Sequence, residues 1–65
     1  MNFGVISEKR NALKISVTEM CRKAGIGRNT YYRLVENPDS GQFDTISRLV
    51  KALDLTDEEK IRLFN

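Results

Sequence analysis

The stretch from Val17 to Glu36 constrains this chain more than any other, because it holds two short amphipathic helical patterns separated only by Gly25-Ile26-Gly27. At 100° per residue, Val17, Met20, Cys21 and Ala24 fall within an arc of roughly 100°, and Thr18, Glu19, Arg22 and Lys23 fill the opposite side. Past the glycines, Thr30, Tyr31, Leu34 and Val35 share an arc of about 140°, while Arg28, Asn29, Tyr32, Arg33 and Glu36 occupy the complementary one. Each segment therefore predicts a helix with one dry face and one wet face. Gly25 stands where the first helix must stop, since glycine accepts the left-handed conformation that closes a helix C-terminus. Ile26 can tuck inward between the two helices, and Gly27 is the expected N-cap of the second. Ser16, with Glu19 three residues later, has the spacing of a capping box and fixes the start of the first. The predicted unit is a helix-turn-helix over about 17–36, whose second helix, about 28–36, bears arginines on its wet face.

The rest of the chain reads as helix too. Val5, Ile6, Ala12 and Leu13 share one side of a first helix over about Phe3 to Leu13, with Lys9 interrupting the stripe. The loop Asn37-Pro38-Asp39-Ser40-Gly41 is dense in turn formers, and Pro38 disfavours helical geometry at Asn37, so the second motif helix should end near Glu36. Phe43, Ile46, Leu49, Val50 and Leu53 form a stripe of about 120° and predict a fourth helix. Thr56 and Glu59 repeat the capping-box spacing and start a fifth, with Asp57, Glu58 and Glu59 crowding the positive end of its dipole. Nothing suggests a strand, an internal repeat, a low-complexity tract or a linker. The expected class is all-α, a compact bundle of five short helices forming a single domain over 1–65.

Composition matters here for what it excludes. A chain of 65 residues lies near the lower limit of independent stability, where a second copy often supplements the core. With 40% hydrophobic and 31% charged residues it has the balance of an ordinary globular protein, and no run approaches the ~18 apolar residues of a membrane span. Glu8, Lys9 and Arg10 follow so soon after Met1 that no secretory leader is expected, and with one cysteine this points to a reducing cytoplasm. Histidine is absent, Cys21 has no second cysteine, and no carboxylate pair has a defined partner. Zinc ligation and acid-base catalysis lack their usual parts, so no enzyme, cofactor or metal is expected. Gly25-x-Gly27 is too short for a nucleotide-binding fingerprint, and Met20, Cys21 and Tyr31 are expected in the core. The net charge of +2 conceals an asymmetry: residues 1 to 37 carry seven Lys or Arg against three Glu, and residues 38 to 65 carry four against six acids. The basic half contains the helix pair, as the footprint of a polyanion partner would require.

The run Ser16 to Leu34, SVTEMCRKAGIGRNTYYRL, set within five short helices, resembles the Cro/CI-type (XRE) helix-turn-helix regulators, and the resemblance covers about residues 5 to 55. Its matching points are Arg10 in the first helix, the small Cys21, the turn Gly25, the inward Ile26 and Leu34 closing the recognition helix. Ala52-Leu53-Asp54-Leu55 matches the family's ending of the fourth helix. The resemblance implies a lambda-repressor-like DNA-binding domain that acts as a homodimer. Two positions depart from the pattern. Val17 stands where the family commonly has a phosphate-binding Gln, so that contact must come from elsewhere. Val35 stands where a Glu able to pair with Arg10 is common, with Glu36 one residue later, which leaves Arg10 available to DNA.

A recognition helix enters the major groove N-terminus first, so its first turn and the turn after it reach base edges. This nominates Arg28, Asn29, Tyr32 and Arg33. Arg can bond bidentately to guanine and Asn to adenine, while a Tyr ring can pack on a thymine methyl or reach a phosphate, so the expected half-site contains a G·C pair. Arg10, Lys14, Ser16, Thr18 and Arg22, with Asn37 and Ser40 in the following loop, are the expected phosphate contacts. Leu55, Ile61, Leu63 and Phe64 are the expected dimer interface, placing two recognition helices about 34 Å apart on an inverted repeat. The expected function is a transcriptional regulator of double-stranded DNA, a repressor bound to a palindromic operator, cytoplasmic and nucleoid-associated in a bacterium or encoded by a phage. Two alternatives stay open: the DNA-binding domain of a longer ligand- or peptide-sensing regulator, and an antirepressor-like helical interaction module that does not bind DNA. Val17 favours the module; Arg28, Asn29 and Arg33 weigh against it.

Overall fold

Three helix ends are closed in the same way, and that repeated closure sets the course of the chain. The computed structural model describes residues 1–40 and 43–65. Its helices are α1 (Gly4–Leu13), α2 (Val17–Ala24), α3 (Arg28–Glu36), α4 (Phe43–Leu53) and α5 (Asp57–Phe64), with a 3-10 turn over Pro38–Ser40. After α1, α2 and α4 the next residue turns left-handed: Lys14 with φ 57°, Gly25 with φ 71° and Asp54 with φ 53°. Its N–H donates to the carbonyl three residues back, and the following N–H donates to the carbonyl five residues back. That second bond runs from Ile15 to Arg10 at 3.4 Å, from Ile26 to Cys21 at 3.0 Å and from Leu55 to Val50 at 3.2 Å. The closure satisfies carbonyls that a helix end otherwise leaves bare, and it folds an apolar residue, Ile15, Ile26 or Leu55, back against the core.

Gly25 adopts this conformation without strain, whereas Lys14 and Asp54 carry a Cβ into it. The left-handed region costs an L-residue about 1–2 kcal/mol, and glycine's extra unfolded-state freedom offsets part of the relief. Asp54 also puts an anion at the negative end of the α4 dipole. Asp54→Gly is therefore expected to stabilise the domain by about 0.5–1 kcal/mol, read as a rise of several degrees in the thermal midpoint.

Helix starts are equally local. Ser16 Oγ accepts a hydrogen bond from Glu19 N–H at 3.0 Å. The reciprocal half of that capping box is not made, because the Glu19 carboxylate turns to Arg22 one helical turn on. At α5 both halves form, Thr56 Oγ1 accepting from Glu19's counterpart, Glu59 N–H, at 3.2 Å and Glu59 Oε1 accepting from Thr56 N–H at 2.8 Å. Glu59 also receives Lys9 at 3.1 Å. The Thr56 N–H first, and Lys9 second, hold its carboxyl below the usual range. Lys9, which interrupts the apolar stripe of α1, thus ties α1 to α5.

The bundle is organised around α4, which packs on α1 and α2, while α5 closes against α1 and α3 leans on α2. Ile6, Met20, Leu49, Leu53 and Leu63 are fully buried at the centre. Four expectations need correction. Ala12 and Leu13 are exposed, because the last turn of α1 carries them clear of the elements it packs against. On α3 only Tyr31 and Leu34 are buried, and Thr30 and Val35 at the margins of the predicted arc face solvent, so the helix is held by a narrow seam. Phe43, at the head of the α4 stripe, is 75% exposed. Finally, Leu55 and Leu63 lie in the core and are not available as interface: Leu55 is folded in by the α4 closure, and Leu63 is on the side of α5 opposite Ile61 and Phe64.

Candidate nucleic-acid interface

The narrow seat of α3 is what creates the candidate site. Gly27, with extended backbone, caps α3 without a side chain, and Tyr31 N–H donates to its carbonyl at 3.2 Å. Tyr31 then packs its ring against Phe3, centroids 5.9 Å apart, with its hydroxyl 3.5 Å from that of Ser7. With Tyr31 and Leu34 turned inward, Arg28, Tyr32, Asn29 and Arg33 span an exposed arc of about 140° on the other side. The structure brings all four sequence-nominated base readers onto one face. No hydrogen bond or ion pair holds the side chains of Arg28, Asn29 or Arg33 among the described residues, so their donors are available to a ligand.

The phosphate candidates divide. Lys14 and Thr18 are exposed beside the start of α2. Ser16 Oγ accepts the cap bond, which leaves its own proton to donate outward. Arg22 is exposed but paired with Glu19. Asn37 ends α3 and its N–H donates to Arg33 O at 2.9 Å. Ser40 closes the 3-10 turn; its side chain, like Gly41 of the predicted loop, lies outside the described residues. Arg10 is the exception to the expectation that it is available to DNA. It is half-buried, its Nη1 donates to Ile15 O at 2.9 Å, and its buried Nε has no partner among the described residues. Rather than pairing with Glu36, it braces the loop that leads into α2.

No ion pair among the described residues involves α3. Lys9, Arg48, Lys60 and Arg62 are matched to Glu59, Asp44, Asp57 and Glu8, on α1, α4 and α5. By contrast Lys14, Lys23, Arg28 and Arg33, all on or beside the motif, have no ion pair among the described residues; neither has Lys51 on α4. Two cations here were not singled out by sequence. Lys23 is four residues from Glu19 and could have paired with it, but Glu19 takes Arg22 instead. Arg48 comes from α4, yet a Cβ placed at Gly25 would lie 3.4 Å from its Nη1, so it stands at the motif turn. Nothing in the local sequence signals that approach.

Of the four nominated dimer residues, Ile61 and Phe64 are exposed. Phe43 joins them from α4, its ring stacked on that of Phe64 with centroids 6.4 Å apart. Cys21 is buried between the motif helices; burial pushes its thiol up, with Arg28 pulling the other way, which suits a packing role. No helix among the described residues is long and apolar enough to cross a membrane.

A family model described as helix-turn-helix matches residues 6–60. No curated protein and no solved structure matches the chain.

Proposed function

The chain belongs to the helix-turn-helix family, of Cro/CI type, and from that premise we propose that this DNA-binding domain is a transcriptional repressor that occupies an inverted-repeat operator as a dimer. The observation that carries the reading is the face of α3. Arg28, Asn29 and Arg33 are exposed there with unengaged donors, and neither arginine has an acidic partner among the described residues. In the major groove these side chains match guanine and adenine edges. In this reading the exposed Lys14, Lys23, Ser16 and Thr18 take backbone phosphates, with Arg22 sharing its charge with Glu19 and Asn37 and Ser40 following α3. Arg10 serves this interface indirectly, by holding the loop that presents Ser16.

Dimerisation is assigned to Phe43, Ile61 and Phe64 in place of the buried Leu55 and Leu63. On an inverted repeat such a dimer would place its two α3 helices about 34 Å apart, one turn of DNA. Three exposed apolar side chains fall well short of the ~800 Å² per partner of a standard interface, which favours a weak dimer consolidated on its operator.

Selection from a random duplex library at near-physiological salt, where nonspecific phosphate binding is suppressed, tests both halves of the reading. Wild type is expected to enrich an inverted repeat whose half-sites are about one turn apart and contain a G·C pair. Phe64→Ser is expected to enrich single half-sites. A folded wild-type protein that enriches nothing would overturn DNA reading in favour of a protein-binding role, and inverted repeats from Phe64→Ser would move the dimer contact elsewhere.

A further inference from the structure

The reading face of α3 carries an apolar strip that hydrogen bonding by Arg28, Asn29 and Arg33 does not use. Tyr32 is 52% exposed, and Val35, three residues on and adjacent on the helix surface, is 48% exposed. Nor is the Tyr32 ring free to sweep. It meets the Tyr31 ring edge-on, centroids 5.5 Å apart and planes at 62°, and Tyr31 is itself fixed in the core against Phe3. A ladder of three rings thus runs from the interior to the wet face and gives the outermost one a resting contact. A side chain ordered before binding loses little conformational freedom on binding, so whatever the ring touches is read at small entropic cost.

In the major groove the feature an apolar surface can distinguish is the C5-methyl of thymine. Resting on the assignment of α3 as the reading element, the geometry points to Tyr32 as a specificity-determining residue whose ring packs against a thymine C5-methyl, with Val35 beside it. Each half-site then holds a T·A pair read by its methyl group. The competing use of a phenol is a hydroxyl donated to a phosphate.

Uracil differs from thymine only by that methyl, which gives a test on the selected operator. Each thymine is replaced in turn by uracil, and affinities are measured for wild type, Tyr32→Phe and Tyr32→Ala, with thermal melts to confirm folding. In wild type, one position per half-site is expected to lose about fourfold, the worth of one buried methyl. Tyr32→Phe keeps that discrimination, and Tyr32→Ala binds thymine and uracil there alike. The wild-type scan needs no variant, so a poorly folded Tyr32→Ala does not shelter the idea. A flat scan on a tight operator overturns the Tyr32 assignment and leaves base reading by α3 standing. Discrimination that survives in Tyr32→Ala also overturns it, as does a flat scan with weakened Tyr32→Phe, which would give the hydroxyl to a phosphate. If no operator is enriched at all, both the assignment and the reading beneath it fall.

Discussion

Leu49→Ala is expected to leave the chain largely unfolded at physiological temperature, while Phe43→Ala, a larger truncation in the same helix, is expected to be nearly silent. Leu49 is fully buried where α4 packs on α1 and α2. Removing a buried leucine costs about 2–5 kcal/mol, because the transfer free energy is lost and a cavity remains. At ~0.05–0.15 kcal/mol per residue, a domain of this length has only about 3–10 kcal/mol in total, so the substitution consumes much or all of it. Phe43 is 75% exposed and its ring rests on Phe64 at the surface, so its removal should fall within about 0.5 kcal/mol. Urea midpoints for the two variants, at unchanged slope, measure the contrast. Equal losses would mean that α4 is rotated from the orientation described.

That contrast also marks where sequence stops being informative. Turn and cap chemistry is local, so Gly25, Ser16 and Thr56 announce their helix boundaries from their neighbours alone. The closures at Lys14 and Asp54 are invisible in the same way of reading. Lysine does not favour the left-handed region, and aspartate tolerates it better than most residues without signalling a turn by itself; at both positions the closure folds Ile15 or Leu55 onto the core. Periodicity finds the axis of each apolar stripe but not its width or length. Tyr31 and Leu34 mark the centre of the α3 stripe, and Val35 at its margin is wet because little packs on that side. Likewise Phe43 and Leu63 exchange their expected roles, since only the placement of α4 and α5 against α1 decides which apolar residue is covered. Charge partners are harder still. Lys9 with Glu59 and Arg48 at the Gly25 turn join elements distant in the chain. The exposed face of α3 that carries Arg28, Asn29, Tyr32 and Arg33 is legible for a simple reason: it depends on one helix and on what that helix does not bury.

Arg33→Ala is expected to reduce affinity for the selected operator by about 5- to 160-fold, the 1–3 kcal/mol carried by one bidentate Arg–guanine contact, and to relax preference at a single base position. Affinity for random duplex should fall far less if, as proposed, Arg33 on the exposed arc of α3 reads a base and does not hold a phosphate. Arg22→Ala provides the opposite pattern. Arg22 is exposed on α2, off the α3 face assigned to base reading, and it shares its charge with Glu19. Its loss frees Glu19 to pair with Lys23 at the next favourable helical spacing, so the flank gives up roughly one cation's worth of phosphate contact whatever the sequence. Operator and random duplex should therefore weaken by the same modest factor, and the slope of log affinity against log salt should shrink by up to about 0.9. Titrations of both variants against both duplexes at several salt concentrations separate the roles. Should Arg33→Ala weaken the two duplexes equally and flatten the salt slope, Arg33 holds a phosphate, and the guanine in the half-site must be read by Arg28.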